Sequence, residues 1–565
     1  MLYERHGEVP RGAQPTDAGA RHDVGGGFGQ SAVHTEILLG AVVWEREDTP
    51  SQHPDAQRDS TMNENLFARL EQRFPSDRGR LLIETDSGNR YTWQDMKERS
   101  ARFAGVFAGH ALEPGDRVAT QVDKSPEALF LYLACLRYGL VFLPLNTAYR
   151  RRELEYFFGD AEPALVVGRP EAQTSLKELL PPGTPLYTLD QSAGGSLAEA
   201  ATEADPFNGC RERSGDDIAA IVYTSGTTGH PKGAMITHEN LASNAAALVD
   251  AWGFSENDVL LHVLPLFHVH GLFVACHCVL WSGARMRFLL DATTANILRF
   301  LPEATVMMGV PTHYTRLLAR PEFGRGVCRN IRLFISGSAP LLPQTFDEFE
   351  RRSGHRILER YGMSETGMNA SNPLAGPRVP GTVGPPLPGI EARVVHADGT
   401  PAAAGEVGVL QVRGPNVFKG YWGKPEKTAE EFTEDGYFIT GDLASIDGNG
   451  YIRIEGRHKD LIISGGYNVY PKEVELCIDA MPGVVESAVI GLPHPDYGEA
   501  VCAVIVRQPD SALTEESVIE RIKGELAPYK APKSVYFADE LPRNTMGKVQ
   551  KKVLRDRLTA TGGAA

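Results

Sequence analysis

The stretch of chain at positions 217–233 has the sequence DIAAIVYTSGTTGHPKG. Its first half is a nearly continuous apolar run, which predicts a buried strand. The second half combines glycines and hydroxyl side chains and leads to Lys232. Glycine lets a backbone approach an anion closely, and hydroxyl and backbone N–H groups hold phosphate oxygens. The stretch therefore predicts a strand followed by a phosphate-binding loop that contains Thr224, Ser225, Gly226, Thr227, Thr228 and Gly229.

Two other interpretations of this loop are weaker. A merely flexible loop rich in serine and glycine would need neither the preceding strand nor the following lysine. A Walker loop requires the spacing G-x-x-x-x-G-K-[ST], which this stretch lacks. Nucleotide hydrolases of the Walker class are therefore disfavoured.

The size and charge of the chain limit the protein classes. A chain of 565 residues is too long for one compact core, so two or three domains are expected. The net charge of -15 argues against nucleic acid as the main partner, because binding a phosphate backbone needs a basic face. No apolar stretch reaches the roughly 18 residues that span a membrane.

The cysteines indicate a reducing environment. Seven are present, an odd number, and no Cys-x-x-Cys pair occurs, which favours free thiols and a cytoplasmic location. Cys276 and Cys278 flank His277, but their apolar neighbours predict buried structural thiols rather than a metal site.

The chain changes character at its start. Residues 1–61 include a glycine cluster and show little periodicity. We expect them to be a disordered or non-native extension, with Met62 as the natural start. Asn65 then precedes an apolar pair and predicts a helix cap.

The rest of the chain predicts an α/β fold. Short apolar runs at 117–121 and 164–167 enclose a helical pattern at 127–138, which is typical of parallel sheets covered by helices. Short strands broken by glycine and proline at 383–412 predict a small β-rich subdomain. The tail after Lys459 mixes strands with a helix.

Six further motifs follow the phosphate loop along the chain. Taken singly, each has an ordinary interpretation, such as a turn, a helix start capped by Ser364 or a solvated lysine on a loop. The motifs are SGSAP at 336–340, ERYGMSET at 359–366, TGDL at 440–443, GRHKD at 456–460, SGGYN at 464–468 and PRNTMGKVQ at 542–550.

In this order, the loop and the motifs resemble those of the adenylate-forming superfamily over residues 62–565. This superfamily comprises acyl-CoA synthetases, peptide-synthetase adenylation domains and luciferases. The resemblance implies a large N-terminal domain at 62–456, with mixed parallel sheets, helices and the small β-rich subdomain. A hinge at 457–459 and a small, mobile α+β C-terminal domain at 460–565 would follow. ATP with Mg²⁺, a carboxylic acid and coenzyme A are the implied ligands.

The resemblance also implies roles at the nucleotide. Tyr361 would stack on adenine, Glu365 would hold Mg²⁺ and Thr366 would contact the α-phosphate; a flat ring and a hard carboxylate suit these roles. Asp442 would bind the ribose hydroxyls with help from Arg457. The implied nucleotide site also contains Thr224, Ser225, Gly226, Thr227, Thr228, Gly229, Lys232, Ser338, Ala339, Glu359, Arg360 and Gly362.

The last motif resembles the one whose lysine reaches the reacting carboxylate and the α-phosphate. Lys548 is therefore the implied catalytic residue, together with Thr224 and His268. Acetylation would remove the charge of Lys548, which makes a lysine acetyltransferase and a deacetylase expected partners.

Two motifs are implied to serve the second half of the reaction. Lys459 would act as the hinge residue. Gly465 and Gly466 would line the tunnel through which the thiol arm of coenzyme A reaches the adenylate.

The implied acid pocket combines residues from several motifs. His268 would gate the acyl site, and Arg316 would place a cation among the apolar residues of the pocket wall. Ser336 would add a hydrogen bond at the pocket floor, and Met363 would also contact the acid. A structural salt bridge is the alternative interpretation of Arg316.

The predicted acid is malonate, with methylmalonate as a poorer substrate. The segments 359–363 and 368–373 resemble malonyl-CoA synthetases more closely than acetate or coumarate ligases. A guanidinium suits the second carboxylate because it binds in a bidentate way.

Other functions remain open from the sequence. The main alternative is a synthetase for short-chain, medium-chain or aryl acids; a free-standing enzyme that loads a carrier protein is a weaker one. A luciferase-like oxidoreductase shares only the first half-reaction. A non-catalytic binding protein is expected to lack Lys548, Glu365 or Lys232, and all three are present.

Overall fold

The computed structural model describes residues 63–224, 231–464, 467–494, 497–526, 528–544 and 547–560. The expected extension at residues 1–61 and the expected start at Met62 lie outside these residues. Within the described ranges, the chain forms four sheets with helices packed around them.

The strands are numbered in chain order. They are β1 Leu81–Thr85, β2 Arg90–Thr92, β3 Arg117–Gln121, β4 Val141–Pro144, β5 Leu165–Gly168, β6 Leu186–Thr188, β7 Ile218–Thr224, β8 Lys232–Thr237, β9 Val259–His262, β10 Arg285–Phe288, β11 Val306–Gly309, β12 Leu333–Ser336, β13 Leu358–Met363, β14 Gly367–Ser371, β15 Glu391–Val395, β16 Gly408–Arg413, β17 Phe438–Ile446, β18 Ile452–Arg457, β19 Ile462–Ser464, β20 Tyr467–Val469, β21 Val484–His494, β22 Gly498–Arg507 and β23 Ser534–Ala538.

The helices are numbered in the same way, and a π-helical turn, His270–Cys276, precedes the eighth. They are α1 Leu66–Glu71, α2 Trp93–Gly109, α3 Pro126–Tyr138, α4 Arg151–Ala161, α5 Gln173–Lys177, α6 Ser196–Glu203, α7 His238–Trp252, α8 His277–Ser282, α9 Thr294–Phe300, α10 Pro311–Leu318, α11 Pro343–Ser353, α12 Pro425–Glu430, α13 Pro471–Asp479, α14 Glu515–Glu525 and α15 Lys551–Ala560.

Two large mixed sheets form the first part of the fold, as predicted. The eight-stranded sheet has the order β14-β13-β12-β11-β9-β10-β1-β2, and its strands are parallel except at the two edges. The six-stranded sheet has the order β6-β5-β3-β4-β7-β8, and only β8 is antiparallel to its neighbour. Every residue of β4, β5, β9, β11 and β12 is buried, which explains their largely apolar sequences.

Helix α3 shows how local sequence sets the element bounds. The Ser125 hydroxyl accepts a hydrogen bond from the backbone N–H of Ala128, and Pro126 occupies the first turn, where no N–H is needed. Gly139 ends the helix at φ 78, a left-handed conformation that favours glycine. The predicted helix at 127–138 is therefore confirmed.

The second part of the fold contains two smaller sheets. Strands β15 to β18 form the antiparallel sheet of the predicted β-rich subdomain. Strands β19 to β23 form a separate sheet with its own apolar core around Ile462, Ile478 and Val501. The turn His458–Asp460 connects the two sheets and contains the predicted hinge residue Lys459, which is exposed.

The predicted burial of Cys276 and Cys278 is confirmed. All seven lie in the described ranges, none forms a disulfide, and Cys276 and Cys278 are fully buried. Burial raises the pKa of the Cys276 thiol to about 12. No group of three or more metal-ligating side chains occurs in the described residues. The described helices also include none long and apolar enough to cross a membrane.

The first helix provides a test of the fold. Asn65 is fully buried and caps α1 by accepting from the backbone N–H of Phe67 at 2.9 Å, while its amide donates to the Leu136 carbonyl at 2.7 Å. Asn65→Ala removes the cap and leaves buried backbone groups unpaired, so we expect a loss of about 2 kcal/mol in unfolding free energy.

The measurement is chemical denaturation followed by circular dichroism. Asn296→Ala is the matched control, because the Asn296 amide donates to a backbone carbonyl at the surface. The unfolding free energy of this variant should fall by less than about 0.5 kcal/mol. Equal losses in the two variants would show that Asn65 does not stabilise the helix in this way.

Candidate active site

Neighbouring parallel strands bring the predicted acid-site residues to one edge of the eight-stranded sheet. His268 follows β9, Arg316 lies in the helix after β11, Ser336 closes β12 and Met363 closes β13. These strands are adjacent and parallel, so their carboxyl ends share one edge. Ligands bind in the crevice beyond such an edge in α/β sheets. The topology therefore explains how motifs far apart in sequence form one site.

Arg360 is the most unusual side chain in this crevice. It is only 3% exposed, and within the described chain its Nε and one terminal nitrogen have no hydrogen-bond partner. Gly337 leaves room for it, because a Cβ there would lie 2.4 Å from the guanidinium carbon. Burial lowers the pKa of Arg360, but an arginine stays charged at neutral pH. A buried cation for which the described residues supply no ion pair is costly and is therefore suited to bind an anion.

Other unpaired polar atoms lie in the same strand-end region. The Ser336 hydroxyl and the Nε2 atom of His270 are buried without a partner among the described residues. Ser338 has a left-handed φ of 70, and its hydroxyl lies 3.3 Å from Nδ1 of His270. A non-glycine residue in this conformation carries strain, which is common at ligand sites.

His268 is neutral in this setting. Burial, then the positive charges of Lys548 and Arg360, lowers its pKa to about 3. Its Nδ1 accepts from the backbone N–H of His270 at 3.2 Å, so the single ring proton lies on Nε2. His268 can thus donate one hydrogen bond into the acid site without adding charge.

The loop that carries Lys548 extends from the C-terminal sheet to the crevice. A Cβ on Gly547 would lie 3.5 Å from the Thr312 hydroxyl of α10, so the loop packs on that helix. The backbone N–H of Lys548 donates to the Asn544 side chain at 2.9 Å and fixes the loop.

The Lys548 ammonium faces the predicted nucleotide site. Burial and the charges of Arg457 and Arg360 lower its pKa, while Asp442 and Glu365 oppose this shift. The residue nevertheless keeps contact with solvent. The structure therefore brings Lys548 together with the predicted ribose, metal and acid ligands.

Asp442 is held from two sides. Its carboxylate accepts from the Tyr361 hydroxyl and lies 2.7 Å from Nε of Arg457. The backbone N–H of Asp442 also donates to the Thr440 hydroxyl at 3.1 Å. These bonds orient a buried carboxylate, as a ribose ligand requires.

Glu365 lies next to the phosphate loop. Thr224 is the last described residue before position 231. Its hydroxyl donates to Glu365 Oε1 at 3.1 Å. A buried carboxylate beside a hydroxyl fits Mg²⁺, which prefers oxygen ligands and takes one or two carboxylates along with substrate phosphates. The donor chemistry of these two residues is therefore compatible with the expected metal.

Lys232 is paired in a way that the motifs do not predict. Its ammonium lies 2.7 Å from Glu431 and 3.8 Å from the centre of the Tyr421 ring. No sequence signal marked Glu431 or Tyr421, because they lie far along the chain from the phosphate loop.

The surroundings of Arg316 differ from the expectation. Arg316 is exposed, whereas Tyr314 and Leu317 on the same helix are buried. The helical period of about 3.6 residues turns Arg316 away from the face that packs on the core. The sequence indicated apolar neighbours but not the direction of the side chain.

Two predicted nucleotide residues make contacts within the protein. The Glu359 carboxylate accepts from the backbone N–H of Leu341 at 3.4 Å, and burial raises its pKa to about 7. The Thr366 hydroxyl, also buried, accepts from the Asn369 amide at 2.7 Å. The alternative helix start at Ser364 is wrong, since a turn joins β13 to β14.

The remaining predicted residues fall into two groups. Ala339 and Gly362 lie at the same strand ends, and Gly362 packs so closely that a Cβ would lie 2.1 Å from the Gly367 carbonyl oxygen. The others lie outside the described residues, and they are Ser225, Gly226, Thr227, Thr228, Gly229, Gly465 and Gly466.

Comparisons with known proteins agree with this geometry. Residues 67–422 match the family model "AMP-binding enzyme", and residues 473–548 match "AMP-binding enzyme C-terminal domain". The mitochondrial malonate–CoA ligase of Mus musculus is 38% identical over 522 residues, which cover 84% of this chain and 88% of the relative.

Solved structures give the same result. The ATP-bound structure of MatB from Rhodopseudomonas palustris has a TM-score of 0.86 and 52% identity, and the match covers 88% of this chain and 100% of that one. The apo structure of the same protein, with equal identity and coverage, has a TM-score of 0.77. The arrangement described here is therefore more similar to the ATP-bound form.

The neutral state of His268 predicts a pH dependence of stability. Its folded pKa of about 3 lies below the unfolded value of 6.5, so the unfolded state binds more protons between these values. Stability should therefore fall as the pH drops from 6.5 towards 3, by about 1.4 kcal/mol per pH unit for this group at the limit. His268→Gln should reduce the slope of unfolding free energy against pH between 4.5 and 6. An unchanged slope would mean that His268 is protonated in the folded protein.

Proposed function

We propose that this chain, which belongs to the AMP-binding enzyme family, is a malonate–CoA ligase that acts through a malonyl adenylate. It would convert malonate, ATP and coenzyme A into malonyl-CoA, AMP and diphosphate. Methylmalonate would be a poorer substrate. The similarity to the mouse ligase and to MatB supports the reaction class, and the crevice supports the acid.

The unpaired Arg360 is the observation that carries the choice of acid. A dicarboxylate would present one carboxylate for reaction and a second one for the guanidinium, which binds carboxylates in a bidentate way. The unpaired Ser336 hydroxyl and His270 Nε2 supply further hydrogen bonds at the same strand ends. Arg316, exposed on α10, would assist from the rim of the pocket rather than from its floor.

The same feature explains why other acids would be rejected. A monocarboxylate or an aryl acid leaves Arg360 desolvated and unpaired. Sites built on such polar partners discriminate by about 10⁴-fold against analogues that lack the matching group. The second candidate function is a synthetase for short-chain, medium-chain or aryl acids. An apolar pocket floor would favour that function, whereas the buried guanidinium of Arg360 favours a dicarboxylate.

The first half-reaction would form the adenylate. A malonate carboxylate oxygen attacks the α-phosphorus, a new P–O bond forms, and the bond to diphosphate breaks. Lys548 would stabilise the charge that develops between the carboxylate and the α-phosphate. Its position among Asp442, Glu365 and Arg360 supports this role. Glu365 and Thr224 would hold Mg²⁺, which neutralises phosphate charge when bound.

The second half-reaction would use a different arrangement of the C-terminal domain. The sulfur of coenzyme A attacks the acyl carbon, the C–O bond to the phosphate breaks, and AMP leaves. We propose that the domain after the turn His458–Asp460 rotates about Lys459, which withdraws Lys548 and brings Gly465 and Gly466 to the thiol. The exposure of Lys459 supports a hinge there.

A free-standing enzyme that loads a carrier protein would share the first half-reaction. Release of AMP that requires coenzyme A would exclude this alternative. A cytoplasmic location remains a proposal, supported by the free, buried thiols. Acetylation of Lys548 also remains a proposal, and mass spectrometry of the native protein combined with activity measurements would test it.

Lys548→Ala should separate the two half-reactions. Loss of the ammonium removes charge stabilisation from adenylation, so diphosphate exchange into ATP should fall by at least about 10²-fold. Formation of malonyl-CoA from added malonyl adenylate should be largely retained. Lys552→Ala, at an exposed position of α15, is the matched control. Equal slowing of both half-reactions would exclude a role confined to the first.

Arg360→Met should change the choice of acid. The substitution keeps the length of the side chain but removes the charge, so kcat/KM for malonate should fall by about 10³-fold or more, while that for propionate falls much less. Arg316→Met is the matched control, and its kcat/KM for malonate should fall only about tenfold, because the Arg316 side chain is solvated. If the unmodified protein prefers acetate or an aryl acid, malonate is not the substrate. If Arg360→Met retains the malonate activity of the unmodified protein, Arg360 does not bind the second carboxylate.

A further inference from the structure

The side chains of Lys232, Glu431, Tyr421 and Glu365 form a connected network. Lys232 Nζ lies 2.7 Å from one oxygen of Glu431, and the Tyr421 hydroxyl donates to the other oxygen at 2.7 Å. The same hydroxyl lies 3.3 Å from Oε1 of Glu365. The network therefore joins the cation of the phosphate loop to the carboxylate proposed to hold Mg²⁺.

Three of the four side chains are shielded from water, and Glu431 is partly exposed. Tyr421 is 2% exposed, and Lys232 and Glu365 are each 7% exposed. The ammonium of Lys232 lies over the Tyr421 ring, so the tyrosine contacts the cation with its face and both carboxylates with its hydroxyl. Shielding makes each of these electrostatic contacts stronger than it would be at the surface.

The backbone around Tyr421 links the same two residues. The N–H of Phe418 donates to the Glu365 carbonyl at 2.8 Å. Four residues further on, the chain runs beside β8, where the N–H of Trp422 donates to the Gly233 carbonyl at 2.8 Å. The segment is thus attached to Glu365 at one end and to the strand that begins with Lys232 at the other.

The single hydroxyl proton of Tyr421 can serve only one carboxylate at a time. The shorter distance assigns it to Glu431, which in turn fixes Lys232. Glu365 receives its hydrogen bond from Thr224 instead and keeps its remaining lone pairs for a cation. Tyr421 nevertheless limits how far the Glu365 carboxylate can move towards Glu431.

We propose that Tyr421 and Glu431 are positioning residues that fix Lys232 and Glu365 relative to each other for the phosphate end of ATP and its Mg²⁺. This inference rests on the proposed function, because it requires a metal–nucleotide complex at Glu365. Partners of metal ligands typically change metal affinity by 10-fold to 100-fold when they are removed. A merely structural salt bridge would change stability and leave metal affinity unaltered.

The test uses Tyr421→Phe, which keeps the ring under Lys232 and removes only the hydroxyl. Binding of Mn²⁺ in the presence of a non-hydrolysable ATP analogue is measured by electron paramagnetic resonance. We expect the Mn²⁺ affinity to fall about tenfold. Adenylation should show a matching increase in the Mg²⁺ concentration needed for half-maximal rate, while malonyl-CoA formation from added malonyl adenylate should not change.

Tyr437→Phe is the matched control. Its hydroxyl also donates to a glutamate at 2.7 Å, but that partner, Glu391, belongs to the surface of the β-rich sheet. Mn²⁺ affinity should be unaltered in this variant. Glu431→Gln, which keeps the shape of the side chain, is the second test variant and should also weaken Mn²⁺ binding if Tyr421→Phe proves unstable.

The outcomes separate the inference from the proposed function. If the unmodified protein binds no Mn²⁺ with the nucleotide analogue, the proposed function is itself contradicted. If it binds Mn²⁺ and both variants bind it equally well, Tyr421 and Glu431 have only a structural role and the inference is wrong. Weaker binding in the variants, with normal binding in Tyr437→Phe, supports the inference.

Discussion

A buried guanidinium, two of whose nitrogens have no hydrogen-bond partner among the described residues, governs the crevice. The guanidinium of Arg360 occupies space that exists because Gly337 has no side chain. Its charge helps to keep His268 and His270 neutral, so these imidazoles serve as hydrogen-bonding groups and not as further cations. Burial of such a charge destabilises the folded protein unless an anion binds beside it. A dicarboxylate can pair one carboxylate with the Arg360 guanidinium and still present its second carboxylate for reaction.

The charges around Lys548 give a physical reason why its position would change between the two half-reactions. In the described state, Arg457 and Arg360 repel its ammonium, and Asp442 and Glu365 attract it. Bound ATP would add negative charge and strengthen the hold on Lys548, and departure of diphosphate would remove much of that charge. In the proposed mechanism, the domain that carries Lys548 would therefore be held most tightly while the adenylate forms. Loss of this attraction would favour the second arrangement, in which coenzyme A reacts.

Sequence predicts best those parts of the site that are contiguous in the chain. The strand before the phosphate loop, the helix after Ser125 and the strand that ends at Ser336 are all encoded locally, by apolar runs, caps and glycines. The family resemblance adds the order of the motifs, from which the α/β fold and the separate C-terminal sheet follow.

The rest depends on contacts that no local pattern encodes. Lys232 and Glu431 are 199 residues apart, and only the folded sheets bring them together. Arg360 was assigned to the nucleotide by its motif, because the sequence does not show that its guanidinium lacks a partner. Arg316 was assigned to apolar surroundings because its neighbours in sequence are apolar, whereas the helix turns it outward. Side-chain direction and unmet hydrogen bonds thus required the structure.

The fate of one oxygen atom tests the account most directly. Malonate labelled with ¹⁸O in its carboxylates is incubated with the protein, Mg²⁺-ATP and coenzyme A, and the products are separated and analysed by mass spectrometry. If a carboxylate oxygen attacks the α-phosphorus and the C–O bond later breaks, each AMP carries one ¹⁸O atom and the diphosphate carries none. Unlabelled AMP, or label in the diphosphate, would contradict the formation of a malonyl adenylate in this crevice.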